Sequence, residues 1–217
     1  ERQRNNLVDA IQADVRSTSY FLGKDALDEN VLQAMRKVPR HEFVPEAQRL
    51  NAYLNRPLPI GYGQTISQPY IVAIMTDLLD LDENSRVLEI GTGSAYQAAV
   101  LAEVAGSVYT IEIIEALADR AAGDLKRLGY EKVQSRAGDG YYGWEEAAPF
   151  DAIMVTAAAS HVPPPLIKQL KPGGRMIIPV GGRFTVQHLV LVNKDRQNRI
   201  TSRQLLPVRF VPLTGDR

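Results

Sequence analysis

The sequence of 217 residues contains no cysteine. A chain without cysteine has no disulfide, no thiolate nucleophile and no zinc or iron–sulfur site held by sulfur ligands. Histidine is scarce as well, because the chain has only His41, His161 and His188. None of these has the HxxxH spacing that places two imidazoles on one helix face. We therefore expect no metal site.

The chain also has no excess of either charge, since Lys and Arg together number 25 and Asp and Glu together number 25. Proteins that bind nucleic-acid phosphates usually carry a basic excess, so we expect no nucleic-acid partner. No apolar run approaches the ~20 residues of a membrane-spanning helix, so we expect no membrane partner. The sequence favours a cytoplasmic monomer, and because it begins at Glu1 rather than Met, removal of an export signal stays open.

The first third of the chain has helical periodicity. One helix is predicted after Asp28, a candidate N-cap, and Pro39 ends it. A loop rich in Pro and Gly follows over residues 56–68, and a second helix is predicted just after Ser67 and Pro69. The apolar positions that carry the two helices are Val31, Leu32, Met35 and Val38, and then Ile71, Ile74, Met75, Leu78 and Leu79.

From residue 86 onward, short β-rich runs alternate with helical stretches. The predicted strands are Arg86–Ile90, Ser107–Ile111, Lys132–Ser135, Ala152–Thr156 and Met176–Val180, and the predicted helices are Tyr96–Val104, Glu115–Leu128 and Pro164–Leu170. A terminal antiparallel pair is predicted at His188–Asn193 and Ile200–Pro207. Strands separated by helices indicate right-handed crossovers and a mainly parallel sheet.

The sequence therefore predicts an α/β fold, a doubly wound Rossmann-like domain with antiparallel C-terminal strands and a helical N-terminal extension. We expect one domain over residues 1–217. Residues 1–80 would form the helical extension and a loop over the site, and residues 81–217 the cofactor-binding core.

A glycine-rich turn follows the first predicted strand, and a candidate acid follows the second. Gly91 and Gly93 allow the backbone to approach a ligand closely, and Glu112, 21 residues beyond Gly91, is placed to accept both hydroxyls of a ribose. A dinucleotide site would have a third glycine where this chain has Tyr96, which disfavours an NAD-dependent dehydrogenase. Glu89 adds negative charge, which suits a cationic ligand such as S-adenosylmethionine better than a pyrophosphate.

A second turn, Ala137-Gly138-Asp139-Gly140, follows the third predicted strand. Asp139 there could contact an adenine amino group, with Gly138 beside it. A Gly-Asp-Gly sequence is equally typical of a tight structural turn.

Three segments carry a resemblance to a known family. The loop Leu58–Tyr70, with its Gln-Thr-Ile-Ser sequence, and the ending Arg209–Thr214, with Val-Pro-Leu-Thr, resemble the corresponding segments of protein-L-isoaspartate O-methyltransferases. Val38-Pro39-Arg40 with Phe43-Val44-Pro45 is similar to that family's N-terminal part. The glycine turn and Glu112 resemble those of class I methyltransferases at large. One position departs from the family, which usually has glycine where this chain has Ala95, and a methyl group there could crowd the cofactor or simply tighten the start of the helix.

The resemblance implies methyl transfer from S-adenosyl-L-methionine, giving S-adenosyl-L-homocysteine, to the free α-carboxylate of L-isoaspartyl residues in damaged proteins and peptides. The ester then collapses to a succinimide. The absence of a nucleophile set or paired acids agrees with this chemistry, because an α-carboxyl has a pKa of roughly 3.5 and is already ionised at neutral pH. Placing oxygen and methyl carbon in line could then supply much of the catalysis.

The resemblance also implies roles for individual residues. Ser67 would hold the acceptor carboxylate as the catalytic residue, with Thr65 assisting, although a serine before Pro is often a helix N-cap. His161 is a candidate substrate contact, and Trp144 with Tyr141 and Tyr142 could stack on adenine. The expected cofactor-binding residues are Gln64, Thr65, Ile66, Tyr70, Glu89, Gly91, Thr92, Gly93, Ser94, Glu112, Gly138, Asp139 and Thr214.

Two alternatives remain beside this interpretation. A class I methyltransferase acting on a small molecule or RNA would share the glycine turn and the acids but would not need the Gln64–Ser67 loop. A non-catalytic relative would bind the cofactor without turnover, and Ala95 is the feature that favours it.

Overall fold

The computed structural model describes residues 1–182 and 185–215. Its helices are α1 (Arg2–Ser17), α2 (Ser19–Leu22), α3 (Glu29–Lys37), α4 (Pro69–Leu78), α5 (Tyr96–Val104), α6 (Glu115–Arg127) and α7 (Pro164–Gln169). Its strands are β1 (Leu58–Gly61), β2 (Gln64–Ile66), β3 (Arg86–Ile90), β4 (Ser107–Glu112), β5 (Val133–Ala137), β6 (Phe150–Val155), β7 (Leu170–Val180), β8 (Gln187–Lys194) and β9 (Ile200–Val208). Short 3-10 turns connect several of them.

Seven strands form one sheet in the order β5-β4-β3-β6-β7-β8-β9. Neighbours from β5 to β7 pair in parallel, and β8 and β9 add antiparallel strands at one edge. This topology confirms the predicted doubly wound fold. The chain runs outward from β3 to β5 and then returns to the other side of β3, so a crevice opens at the carboxyl end of β3.

The two faces of the sheet are covered by separate apolar layers. Val87 contributes to one layer and its neighbour Leu88 to the other, because successive side chains of a strand point to opposite faces. The layer with Val87 is the larger and includes the N-terminal helices. It joins α1, α3 and α4 to the sheet through one continuous core.

The N-terminal extension is helical, as the sequence predicts. Asp28 stands at the N-cap position of α3, but its side chain makes no capping bond, and its backbone N–H instead donates to Asp77 Oδ1 at 2.7 Å. The helix ends at Lys37 because the residue before Pro39 is restricted to an extended conformation. Among the described residues, no helix combines the length and the apolar composition needed to cross a membrane.

The prediction of an irregular loop over residues 56–68 was wrong, because β1 and β2 form a hairpin there. Leu58 pairs with Ile66 and Pro59 with Thr65. The tip is tight, and Tyr62 and Gly63 both have positive φ, at 54° and 70°. Proline and glycine hide these short strands from a search for alternating apolar residues.

Candidate functional site

The glycine turn after β3 has the geometry that its sequence predicts. Gly91 has φ 94° and Gly93 has φ 52°, both in the left-handed region. The N–H of Gly91 donates to the carbonyl oxygen of Ile111 in β4 at 2.8 Å. A Cβ on Gly91 would lie 2.6 Å from Thr156 Oγ1, so no other residue fits there without displacing Thr156. The turn therefore brings backbone close to the cavity it lines.

Glu112 ends β4 beside this turn. Its Oε2 accepts from the N–H of Gly93 at 2.8 Å, and its Oε1 accepts from the N–H of Ile114 at 2.9 Å. Both bonds fix the carboxylate plane, and each oxygen keeps a lone pair for a further donor. The arrangement suits two adjacent hydroxyl groups, such as those of a ribose.

Glu89 is fully buried in β3, and burial raises the pKa of its carboxyl to about 8. Thr110 Oγ1 donates to Glu89 Oε2 at 2.6 Å, and Thr92 Oγ1 lies 2.6 Å from the Thr110 hydroxyl. Glu89 Oε1 has no hydrogen-bond partner within the described part of the chain. Without a ligand, burial therefore favours the protonated carboxyl, and a negative charge at Glu89 beside a cationic ligand stays a prediction.

Most of the residues expected at the site line one cavity, called here the first cavity, at the carboxyl ends of β3 and β4. The expected residues among its lining are Gln64, Thr65, Ile66, Ser67, Glu89, Gly91, Thr92, Gly93, Ser94, Glu112 and Thr214. The hairpin β1–β2 supplies one wall and the C-terminal segment 211–214 another.

Several lining residues were missed by the sequence interpretation. Ile113 and Ile114 follow Glu112 and add an apolar wall, while Gly140 comes from the turn after β5 and Thr156 follows β6. Ile113 leaves 41% of its surface exposed, which is unusual for isoleucine next to a buried strand. The signal that could have identified Ile113 is an apolar residue directly after Glu112, the acid expected to bind a ribose.

Tyr70 lies outside the first cavity. Its ring is buried at the start of α4, and its hydroxyl is 2.5 Å from Thr18 Oγ1. Tyr70 lines a second cavity, between α1, the loop before α4 and the segment after β9. The first turn of α4 directs the side chain toward the N-terminal helix rather than toward the glycine turn.

The predicted adenine contacts, Gly138 and Asp139, are also absent from the lining of the first cavity. The N–H of Gly138 donates to the carbonyl oxygen of Glu112 at 2.9 Å, which joins β5 to β4. Asp139 caps a 3-10 turn by accepting from the N–H of Tyr141 at 2.9 Å. The pair forms a tight turn, but Asp139 Oδ2 is buried without a hydrogen-bond partner among the described residues, so the contact with adenine stays a prediction.

His161 and the candidate stacking residues lie away from the first cavity as well. His161 is exposed, with Nδ1 3.0 Å from Ser160 Oγ. Trp144 packs edge-on against Tyr109 and under the guanidinium of Arg136, whose carbon is 4.2 Å from the ring centre. Trp144 therefore serves the core rather than a ligand.

Ser67 lies between the two cavities and lines both. It is not the N-cap of α4, because Gln68 holds that position and no side chain makes the capping bond. The Ser67 hydroxyl has no hydrogen bond to any described residue, so it can donate to a ligand. Thr65, Thr156 and Val211 also line both cavities, which places one continuous opening beside Ser67.

Ala95 lies at the start of α5 with φ 67°. Its methyl group is fully buried, and it does not line the first cavity. The side chain packs into the core, which agrees with the second possibility, a tighter start of the helix. Having alanine instead of glycine at this position strains the backbone, because the left-handed conformation is unfavourable for alanine.

The described residues contain no group of three or more His, Asp or Glu side chains that could hold a metal ion. The first cavity is lined by backbone amides, hydroxyls, the side-chain amides of Gln64 and Gln97, and two acids, together with apolar side chains. Such a set can orient a ligand by hydrogen bonds and enclose it between apolar walls.

Comparison with known proteins gives consistent results. The family model of protein-L-isoaspartate(D-aspartate) O-methyltransferase matches residues 22–217. The chain is 68% identical over 212 residues to protein-L-isoaspartate O-methyltransferase 2 of Syntrophobacter fumaroxidans, which covers 98% of this chain and 86% of that protein. It is 64% identical over 211 residues to the protein of the same name from a Polaromonas species, which covers 97% of this chain and 100% of that protein.

Solved structures agree with the sequence relatives. One, a protein-L-isoaspartate O-methyltransferase, superposes with a TM-score of 0.84 at 31% identity, over 98% of this chain and 66% of that one. Another, a putative protein-L-isoaspartate O-methyltransferase from Plasmodium falciparum in complex with S-adenosyl-L-homocysteine, superposes with a TM-score of 0.74 at 27% identity, over 87% of this chain and 92% of that one.

Proposed function

Because the chain belongs to the protein-L-isoaspartate(D-aspartate) O-methyltransferase family, we propose that it methylates the free α-carboxylate of L-isoaspartyl residues in damaged proteins. S-adenosyl-L-methionine supplies the methyl group as an electrophile on a sulfonium, with S-adenosyl-L-homocysteine as the product. The observation that supports this best is the position of Ser67, which lines both cavities and thus stands where a cofactor and an acceptor would meet.

The residues of the first cavity fit S-adenosylmethionine in charge and shape. Glu112 presents two fixed oxygens for the ribose hydroxyls. The unpartnered Glu89 Oε1 offers an acceptor for the cofactor's ammonium group, and the approach of that cation would favour the ionised carboxylate. Gly91 has no side chain, so the backbone of the turn can lie close to Thr156.

The second cavity would hold the acceptor peptide. An isoaspartyl α-carboxylate, with a pKa of roughly 3.5, is ionised at neutral pH, and it attacks without help from a general base. In our proposal the Ser67 hydroxyl donates a hydrogen bond to one carboxylate oxygen and leaves the other in line with the methyl group. Orientation of this kind can contribute roughly 7–11 kcal/mol in favourable cases. The resulting ester would cyclise to a succinimide, which gives a route back to aspartate.

We also infer that the protein acts as a cytoplasmic monomer without a nucleic-acid or membrane partner. The equal numbers of basic and acidic residues support the exclusion of a nucleic-acid partner. The absence of cysteine is consistent with a reducing compartment. Light scattering of the purified protein and cell fractionation test these points.

Transfer of a labelled methyl group to an isoaspartyl peptide tests the proposed reaction, with the aspartyl peptide of the same sequence as substrate control. We expect base-labile label on the isoaspartyl peptide alone. Ser67→Ala should lower kcat/KM for the peptide about 10-fold or more, the order of magnitude of losing a hydrogen bond to a charged group. Ser202→Ala, an exposed serine in β9, is the matched control and should retain activity.

If neither peptide is labelled while S-adenosylmethionine still binds, the proposed acceptor is wrong. If Ser67→Ala transfers methyl as fast as the wild type, the role of Ser67 is wrong even though the reaction stands.

A further inference from the structure

The second cavity contains residues that the family match does not reach. α1 contributes Asp14 and Ser17, and Thr18 follows, all before residue 22, where the match to the family model begins. The opposite part of the lining comes from residues 206–211, at and after the end of β9. The walls around the proposed acceptor site are thus built by the N-terminal helix and the C-terminal segment together.

A ring of hydrogen bonds fixes α1 to the start of α4. Asn55 Nδ2 donates to Asp14 Oδ2 at 2.8 Å, and Asn55 Oδ1 accepts from the N–H of Tyr70 at 3.0 Å. The Tyr70 hydroxyl is 2.5 Å from Thr18 Oγ1, which donates to the carbonyl oxygen of Asp14 at 2.8 Å. The ring holds the Asp14 carboxylate in one place, and it includes Tyr70, which lies three residues after Ser67 in the chain.

The second cavity has charged side chains of both signs. Among the lining residues that the structure describes, Asp14 is the only carboxylate and Arg209 the only cation. Asp14 is partly buried and Arg209 is exposed. Within residues 1–182 and 185–215, neither forms an ion pair with another side chain. Both charges are therefore available to a ligand.

We propose that Asp14 and Arg209 select acceptor peptides by the charge of the residues flanking the isoaspartyl residue, Asp14 favouring a cationic neighbour and Arg209 an anionic one. This inference rests on the proposed function. The acceptor has a single carboxylate to place beside Ser67, so its neighbouring side chains occupy the rest of the second cavity. There a complementary charge gains Coulomb energy and a like charge loses it.

The test uses isoaspartyl peptides in which one residue next to the isoaspartyl residue is Lys, Glu or Ala. In one series this residue comes before the isoaspartyl position, and in the other series it comes after it. The readout is the ratio of kcat/KM for the Lys peptide to that for the Glu peptide, with the Ala peptide as reference. Asp14→Asn removes the charge, while its side-chain oxygen can still accept from Asn55. Arg209→Gln removes the opposite charge and keeps a polar side chain.

Asp14→Asn should lower the Lys-to-Glu ratio in at least one series by roughly two- to fivefold, the range expected of partly exposed ion pairs. Arg209→Gln should raise the ratio by a similar factor, and high salt should weaken both effects in the wild type. The proposal is overturned if either variant leaves both ratios unchanged, or alters all peptides by one common factor. Failure of the wild type to methylate the Ala peptide would instead contradict the proposed function itself.

Discussion

The buried carboxyl of Glu89 gives the site a pH dependence that can be measured without substrate. Its pKa is raised from 4.5 to about 8 in the folded protein, chiefly because burial disfavours the charged form. The folded state therefore keeps a proton that the unfolded state loses between those values. The stability that Glu89 contributes is complete below pH 4.5 and is lost as the pH rises through about 8, with a slope of up to about 1.4 kcal/mol per pH unit.

Glu89→Gln removes this titration, so the free energy of unfolding of the variant should fall less than that of the wild type between pH 5 and pH 8. Urea denaturation of the ligand-free proteins at several pH values measures both curves. The difference between the curves isolates Glu89 from the other titrating groups. Parallel curves for the two proteins would show that Glu89 has an ordinary pKa.

Ala95 stores backbone strain at the residue that begins α5. At φ 67° the backbone strain of an alanine costs more free energy than the additional conformational entropy that a glycine loses on folding. Ala95→Gly should therefore raise the free energy of unfolding, by about 1 kcal/mol. Thermal or urea denaturation measures it, and cofactor affinity should be unchanged because Ala95 does not line the first cavity.

Ala98→Gly is the matched control, since the same substitution in the interior of α5 should destabilise by about 1 kcal/mol or more. Equal destabilisation by both substitutions would mean that the left-handed conformation at Ala95 carries no strain.

For single residues, the sequence predicts the position at a cavity best where a strand end fixes the place of the residue. Gly91, Gly93 and Glu112 follow strand ends at fixed spacing, and the structure places all three at the first cavity. Tyr70 lines the second cavity, and the direction of its side chain depends on the docking of α1 against α4, which the sequence does not show. The raised pKa of the Glu89 carboxyl follows from complete burial, which the order of residues does not reveal.

Among the structural elements, the hairpin β1–β2 has the most direct connection to ligand binding. Gln64, Thr65 and Ile66 of β2 line the first cavity, while the carbonyl oxygen of Ile60 in β1 accepts from Arg120 Nη2 at 2.8 Å. Arg120 belongs to α6, so this bond ties the hairpin to the sheet domain from outside the cavity.

Arg120→Ala should release the hairpin and weaken cofactor binding about two- to tenfold, because ordering the hairpin then costs free energy on binding. Amide hydrogen exchange should speed up in β1 and β2 more than in β3. Lys126→Ala, an exposed position of the same helix, is the control and should change neither measurement. Unchanged exchange in the hairpin of the Arg120 variant would show that other contacts hold it.

The predictability of an element depends on how many of its residues face the core. β3 and α5 were predicted with the bounds that the structure has, because each is a run of buried apolar residues between turn signals. β1 has a buried-exposed alternation over only four residues that include Pro59. Pairing across a tight turn defines that hairpin, and pairing partners are not visible in so short a segment.

At the scale of the whole molecule, the parallel pairing of the central strands follows from the alternation of strands and helices together with the handedness of crossovers. The attachment of the N-terminal helix follows from neither. α1 packs against α3 and α4 and buries Leu7, Val8, Ile11 and Val15 in the larger apolar layer. A helix that precedes the family match is thus part of the core and also of the proposed acceptor site.

We expect this attachment to be cooperative. Ile11 is fully buried, so Ile11→Ala should lower the free energy of unfolding by about 2–5 kcal/mol. Far-ultraviolet circular dichroism follows all helices, whereas the single tryptophan, Trp144, reports on the opposite face of the sheet. If α1 unfolds together with the sheet, both signals should shift to the same lower urea midpoint. Asp9→Ala, on the exposed side of α1, should shift neither. Loss of helical signal at a urea concentration that leaves the Trp144 fluorescence unchanged would instead identify α1 as a unit that unfolds separately. Peptide binding would then depend on a helix that is less stable than the sheet domain, which carries the cofactor site.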